Sequence, residues 1–161
     1  MIERLCAARG LRLDRDECRS LVAERDGVLF CQPQTYMNRS GWALRCLAER
    51  HGLEPRAVLV VYDEVALPLG RLRARARGSA GGHRGMESVL ENLRTAEVPR
   101  LRLGVGAAAE ETRSPDLAAY VLAPFLAGEA PRVEELVARA AEAAEAWLEA
   151  GIEAVMNRFN A

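Results

Sequence analysis

At 161 residues, half of them hydrophobic and with a net charge near zero, the chain is long enough for one globular domain with a real core. No run approaches the roughly 20 apolar residues of a membrane span, and the charged start Met1-Ile2-Glu3-Arg4 has no apolar run behind it, unlike a secretory leader. The four cysteines, Cys6, Cys18, Cys31 and Cys46, have no CxxC spacing and read as reduced, mostly structural thiols of a cytoplasmic protein.

Charge is unevenly spread. Residues 1–70 carry 10 Arg and 10 acids, residues 71–102 carry 8 Arg against 3 acids, and residues 110–161 carry 4 Arg against 10 acids. The middle is basic and the tail acidic. Every base is arginine, the better residue for planar, bidentate phosphate contacts.

In chain order, Ile2, Leu5 and Cys6 fall at helical spacing, with Gly10 as a C-terminal stop. Residues 20–25 and 28–32 read as two strands joined by Asp26-Gly27, a hairpin signal. Gln34 to Gly41 is then a polar loop at a strand-to-helix junction, where α/β folds bind ligands. It packs Thr35, Tyr36, Asn38 and Ser40 into eight residues. A helix runs from Trp42 to about His51; Gly52 ends it and Pro55 blocks its continuation. Ala57 to Tyr62 is a continuous apolar run, expected as a strand buried on both faces at the centre of a sheet. It ends in Asp63-Glu64, and Pro68 and Gly70 mark a turn.

Arg71 to Arg77 alternates strictly, placing Arg71, Arg73, Arg75 and Arg77 on one face of a half-buried strand. Gly78 to Gly85 is a glycine-rich loop, and the helix after it carries Met86, Val89, Leu90 and Leu93 on one face. Leu101 to Val105 is another strand, and residues 117–125 form a short helix or turn. Pro131 sits in the first turn of the longest helix. Its apolar stripe runs through Val133, Leu136, Val137, Ala140, Ala141, Ala144, Trp147 and Leu148. Gly151 breaks it, and Ile152, Val155, Met156 and Phe159 suggest a short closing helix. The class is α/β, a sheet flanked by helices in a single domain.

Several of these features carry chemistry. Asp63 stands at the mouth of a sheet, as a catalytic carboxylate or as a strand-end cap. The glycine-rich loop feeding a helix is a phosphate-cradle arrangement or a tight turn. His83 and Arg84 stand at its tip, with no second histidine near enough in the sequence to make a zinc site. The arginine ladder could track a nucleic-acid backbone or be a solvated outer face. Asn38 is a ligand contact or the N-cap of its helix.

Together these pieces resemble bacterial peptidyl-tRNA hydrolase. The pattern P-x-T-[FY]-M-N-x-S-G stands here as Pro33-Gln34-Thr35-Tyr36-Met37-Asn38-Arg39-Ser40-Gly41. The strand end V-x-D-[DE]-x-x-L-P-x-G stands as Val61 to Gly70, the loop G-S-A-G-G-H-x-G as Gly78 to Gly85, and the family's ending as Trp147 to Asn160. The match keeps the family's order from the first helix to the C-terminus.

The resemblance implies a single domain over 1–161 with a mixed, mostly parallel sheet in a three-layer fold. It implies hydrolysis of the ester between a peptide and the 3′ ribose of tRNA, which recycles tRNA from aborted translation. It implies no metal or organic cofactor, no membrane, and a monomer. A histidine base activates water and an aspartate orients it; Asp63 matches the aspartate. Asn38 matches a carboxamide that binds the substrate end and Tyr36 the aromatic beside it, groups suited to a flexible CCA end.

Two departures stand out. The family's first strand, its G-L-G-N-P-G loop and its T-R-H-N segment, which holds the base, are absent from these residues, so the chain is expected to be N-terminally truncated and inactive or nearly so. His51 and His83 match other positions. The asparagine after G-G-H is Arg84 here, which can still meet a phosphate or a carbonyl. A catalytically silent RNA-binding relative is the second reading.

Overall fold

The computed structural model describes residues 1–106 and 117–160. They form two compact units, Met1–Leu59 with Ala76–Pro99, and Val60–Arg75 with the described residues from Arg100 onward. The α/β class read from the sequence stands, with two three-stranded sheets flanked by helices. Among the described residues no helix is long and apolar enough to cross a membrane.

In the first unit, α1 (Ile2–Ala8) buries Leu5 and Cys6. An antiparallel meander follows, β1 (Arg15–Glu17), β2 (Ser20–Arg25) and β3 (Val28–Pro33). Asp26-Gly27 turns β2 into β3 with φ of 52° and 75°, the paired positive values that a two-residue hairpin needs. The strand β1 was not expected. Its turn, Cys18-Arg19, has the same geometry, with φ of 51° and 54°, but neither residue is of a type that signals it.

The helices α2 (Ser40–His51) and α3 (Arg84–Leu93) cross in the same unit. Gly41 makes the crossing possible: a Cβ there would lie 1.9 Å from the Ser88 carbonyl oxygen. Its N–H instead donates to Ser88 Oγ at 3.1 Å, so small size and a satisfied donor coincide.

The second unit holds a mixed sheet of β4 (Val60–Pro68), β5 (Leu72–Arg75) and β6 (Arg100–Gly106) in the order β4-β6-β5. Strand β4 runs parallel to β6, and β5 antiparallel. Two expectations are corrected here. The middle strand is β6, not the apolar run. That run starts at Val60, after a 3₁₀ turn over Pro55–Ala57, and with one ladder partner its residues Val60 to Asp63 are only half-buried. Pairing with β6 is regular from Val60 to Glu64, then slips before Pro68. Gly104 lets the slipped segment lie close, since a Cβ there would be 2.2 Å from the Pro68 carbonyl oxygen.

After α4 (Leu117–Leu122), α5 (Ala130–Phe159) closes the unit, with Pro131 in its first turn. Leu136, Ala140, Ala141, Ala143 and Ala144 are buried, whereas Leu148, at the end of the expected stripe, is exposed. Gly151 interrupts the helix at φ 78°, ψ 179°, and Val155 and Phe159 are buried beyond it. Asn160 then clamps the outer strand. Its Oδ1 accepts from Ala74 N–H at 2.6 Å, and its Nδ2 donates to the Ala74 carbonyl at 3.1 Å. A single carboxamide thereby satisfies backbone groups that an edge strand leaves unpaired.

Candidate active site

The loop after β3 is held by its own backbone. Gln34 N–H donates to the Arg19 carbonyl at 2.9 Å. Tyr36 then leads into a 3₁₀ turn over Met37–Arg39. Arg39 N–H donates to the Tyr36 carbonyl at 2.8 Å, and Ser40 Oγ donates to the Met37 carbonyl at 2.9 Å. The turn presents its side chains outward: Tyr36 is 80 % exposed and Asn38 is exposed as well.

Asn38 does not cap α2. The capping position belongs to Arg39, with no side-chain capping bond. Among the described residues, the Asn38 carboxamide makes no hydrogen bond. The capping alternative is therefore set aside. A rigid turn holding an exposed amide with both donor and acceptor unused is a recognition element in form. Beside it, Thr35 Oγ1 is buried without a hydrogen-bond partner among the described residues, a polar group of the kind that costs about 1–3 kcal/mol when left unmade.

The glycine-rich loop lies against this turn. A Cβ on Gly85 would come 2.4 Å from Met37 Sδ and 3.0 Å from His83 Cε1, so Gly85 makes room for the methionine. His83 is the N-cap of α3, and its Nδ1 accepts from Met86 N–H at 3.1 Å. The ring must keep a lone pair on Nδ1 to do so, which places its proton on Nε2. Arg84 is exposed in the first turn of α3 and makes no ion pair among the described residues. A guanidinium there adds to the positive end of the helix dipole and favours an anion. Tyr36, Asn38 and Arg84 thus belong to two loops that meet through Met37 within one unit.

His51 is engaged elsewhere in that unit, with its Nε2 2.8 Å from Glu17 Oε1. Glu97 accepts from Arg56 at 2.9 Å and Arg77 at 3.3 Å, and the Arg77 hydrogen bond, with help from Arg56, holds its carboxyl below the usual range. The arginine ladder is accordingly split. Arg77 belongs to the first unit, beyond the end of β5, and is paired with Glu97. In the second unit Leu72 and Ala74 are buried while Arg71, Arg73 and Arg75 are exposed, as the alternation requires.

Asp63 also stands in the second unit, opposite Leu103 at the end of the regular β4 ladder. The strand itself continues to Pro68, so the expected strand end is a ladder end. Asp63 is half-buried, and its carboxylate makes no hydrogen bond or ion pair among the described residues. Its neighbour Glu64 is different. Only 6 % exposed, it accepts from Arg102 Nη2 at 2.7 Å and Nε at 3.0 Å, and from Ala66 N–H at 3.0 Å. Of the two adjacent carboxylates, Glu64 is committed to structure and Asp63 is not.

Sequence reasoning gave no role to Glu64, Met37 or Ser88. The doubled acid after an apolar run was a signal for the first. Nothing local marks the other two, because their partners lie across helix packing.

The whole chain, residues 1–161, matches the family model for peptidyl-tRNA hydrolase. A peptidyl-tRNA hydrolase of Methylacidiphilum infernorum is 41 % identical over 162 residues, covering all of this chain and 86 % of that protein. One from Synechocystis is 49 % identical over 129 residues, covering 80 % of this chain and 65 % of that protein. A crystal structure of peptidyl-tRNA hydrolase from Acinetobacter baumannii superposes with a TM-score of 0.85 at 25 % identity, covering 99 % of this chain and 82 % of the other. The chain belongs to the peptidyl-tRNA hydrolase family.

Proposed function

We propose that this protein acts on peptidyl-tRNA, cleaving the ester between the peptide and the 3′ ribose, as a monomer in the cytoplasm and without a cofactor. The observation that carries the reading is the unpaired Asn38 carboxamide on a locked turn beside the start of α3. Asn38 hydrogen-bonds the reacting end of the substrate, and exposed Tyr36 stacks against it. Arg84, Arg73 and Arg75 meet tRNA phosphates. Asp63 orients the imidazole that takes a proton from the attacking water.

Neither histidine among these residues suits that base role. His51 is held by Glu17, and His83 caps α3. The resemblance places the base in a T-R-H-N segment, a sequence that does not occur in residues 1–161. These residues alone therefore bind substrate but hydrolyse it slowly, the behaviour of the silent RNA-binding relative.

The test is deacylation of an N-acetylated aminoacyl-tRNA by this chain, by a version with a G-x-G-N-P-G…T-R-H-N segment fused upstream, and by that version carrying Asn38→Ala. Supplying the base is expected to raise the rate about 10²–10⁴-fold. Asn38→Ala is expected to lower kcat/KM about tenfold, the loss of roughly one hydrogen bond. Equal rates for the first two proteins contradict the proposal.

A further inference from the structure

Three consecutive residues fasten the β1–β2 turn along α2. Glu17 meets His51 at 2.8 Å and Arg50 at 3.7 Å. Cys18 and Cys46 are joined by a disulfide, with their Cα atoms 5.9 Å apart. The Arg19 guanidinium lies over the Trp42 ring, 5.9 Å from its centroid. Residues 17, 18 and 19 are consecutive, while positions 42, 46 and 50 are one helical turn apart, so the turn runs along a single helix face. The expectation of four reduced thiols is thereby corrected: the pairing joins residues 28 apart, a separation that no local spacing reveals. Cys6 and Cys31 stay as thiols.

The same turn touches the loop read above as substrate-binding. The Arg19 carbonyl accepts the N–H of Gln34, the residue that opens the loop. Cys18 and Arg19 hold φ of 51° and 54°, a region that residues with a Cβ seldom occupy unless their surroundings impose it. One side of the turn is imposed by α2, and the other carries the loop.

We propose that Cys18 and Cys46 are a redox-modifiable pair whose disulfide tightens the Gln34–Gly41 loop and whose reduction loosens it. The pair is chemically accessible, since both residues are only partly buried. Burial raises the Cys6 and Cys31 thiols above their ordinary range, which lowers their thiolate fraction and leaves them out of exchange.

In the reducing direction, a thiolate of a dithiol reductant attacks one of the two sulfurs and the other leaves as a thiolate, which is then protonated. The reductant's second thiol displaces the mixed disulfide. Two electrons pass to the protein, which ends with two thiols, and the reductant ends as a disulfide. In the oxidising direction, a low-molecular-weight disulfide takes the two electrons and leaves as two thiols. A reducing compartment favours the open dithiol, so there the bond forms transiently, when low-molecular-weight disulfide accumulates.

With the bond open, the side-chain ties from the turn to α2 are the Arg19–Trp42 contact and the Glu17 pairs, while the β1–β2 ladder persists. Trp42 is 43 % exposed and Arg50 is mostly exposed, so the ties through these two are weak, and the Glu17–His51 pair at 2.8 Å is the stronger remaining one. The Cys18-Arg19 turn then loses its covalent hold on α2, and the Gln34 hydrogen bond to it opens more often.

The functional consequence rests on the substrate-loop reading, but the structural one does not, and the experiment separates them. The chain is oxidised with glutathione disulfide, or reduced with dithiothreitol, and its thiols are counted by alkylation after unfolding. Amide exchange at Gln34 is followed in both states, together with binding of an RNA hairpin ending in CCA.

The oxidised chain is expected to show two alkylated thiols and the reduced chain four. Gln34 exchange should rise roughly tenfold on reduction, and RNA affinity should fall several-fold. A Cys18→Ser, Cys46→Ser double variant should match the reduced chain in either buffer; if it does not fold, the two states of the native chain still decide. Four alkylatable thiols after oxidation, or equal Gln34 exchange in the two states, overturn the latch. Faster exchange with unchanged RNA affinity upholds the latch and overturns the loop as the RNA site.

Discussion

Asp63 and Glu64 are adjacent, chemically alike, and opposite in fate. Glu64 points into the sheet, where Arg102 and the Ala66 N–H take up its oxygens. Asp63 points the other way along the strand and makes no such bonds among the described residues. The proposed roles of the two acids, one in stability and one in hydrolysis, can therefore be tested one position apart. Glu64→Gln leaves the Arg102 guanidinium, itself only 24 % exposed, without its counter-charge. That change is expected to cost about 2–3 kcal/mol of folding stability, within the range for breaking a buried charged hydrogen bond. Asp63→Asn removes no folded-state partner and is expected to leave the urea midpoint close to that of the parent while abolishing hydrolysis by the base-containing protein. Urea titration of the two variants checks this. A larger stability loss for Asp63→Asn than for Glu64→Gln would reverse the assignment. The sequence singled out Asp63 but gave Glu64 no role, because the role of Glu64 depends on Arg102, 38 residues away.

At the scale of elements, the candidate substrate loops owe their positions to the crossing of α2 and α3. Gly41 begins α2 and Gly85 begins α3, and each makes room for the other segment, at the Ser88 backbone and the Met37 side chain respectively. Gly41→Ala would push a methyl group into the Ser88 carbonyl, which is backbone and cannot rotate away. The helices would have to separate, at a cost of about 1–3 kcal/mol for overpacking, and Asn38 and Arg84 would shift with them. Thermal unfolding should show a lower midpoint for Gly41→Ala, whereas Gly52→Ala, with open space around it but a φ of 64°, should show a milder loss. Equal losses would mean that the close approach to Ser88 does not set the Gly41 requirement.

Elements were legible where local chemistry states the conformation. Asp26-Gly27 supplies positive φ cheaply, so the β2–β3 hairpin could be read directly. Cys18-Arg19 adopts the same angles without a residue type that signals them, so β1 was invisible. The middle strand was misplaced for a similar reason. Ala57 to Tyr62 is the most apolar run, yet β6 occupies the centre with Arg100 and Arg102 in it. Arg102 is tolerated there because Glu64 neutralises it, and such pairing across strands leaves no local pattern.

For the whole molecule, the order of motifs carried more information than any single one. The Tyr36–Asn38 loop, the Asp63 strand end, the glycine-rich loop and the Asn160 ending each have an ordinary structural explanation when taken alone. Asn160 in fact has one, as the clamp on β5. Together and in register they specify a family, and the fold follows from it. The most direct test of the substrate-loop account is an NMR titration of the chain with an RNA hairpin ending in CCA and bearing an amide-linked acetyl-amino acid at its 3′ end, a stable stand-in for the ester. The expected result is that the Asn38 side-chain amide, Tyr36 and Gly85 shift together and saturate together, while the Asn160 side-chain amide does not move. Saturable binding that leaves Asn38 and Tyr36 unshifted would contradict the account.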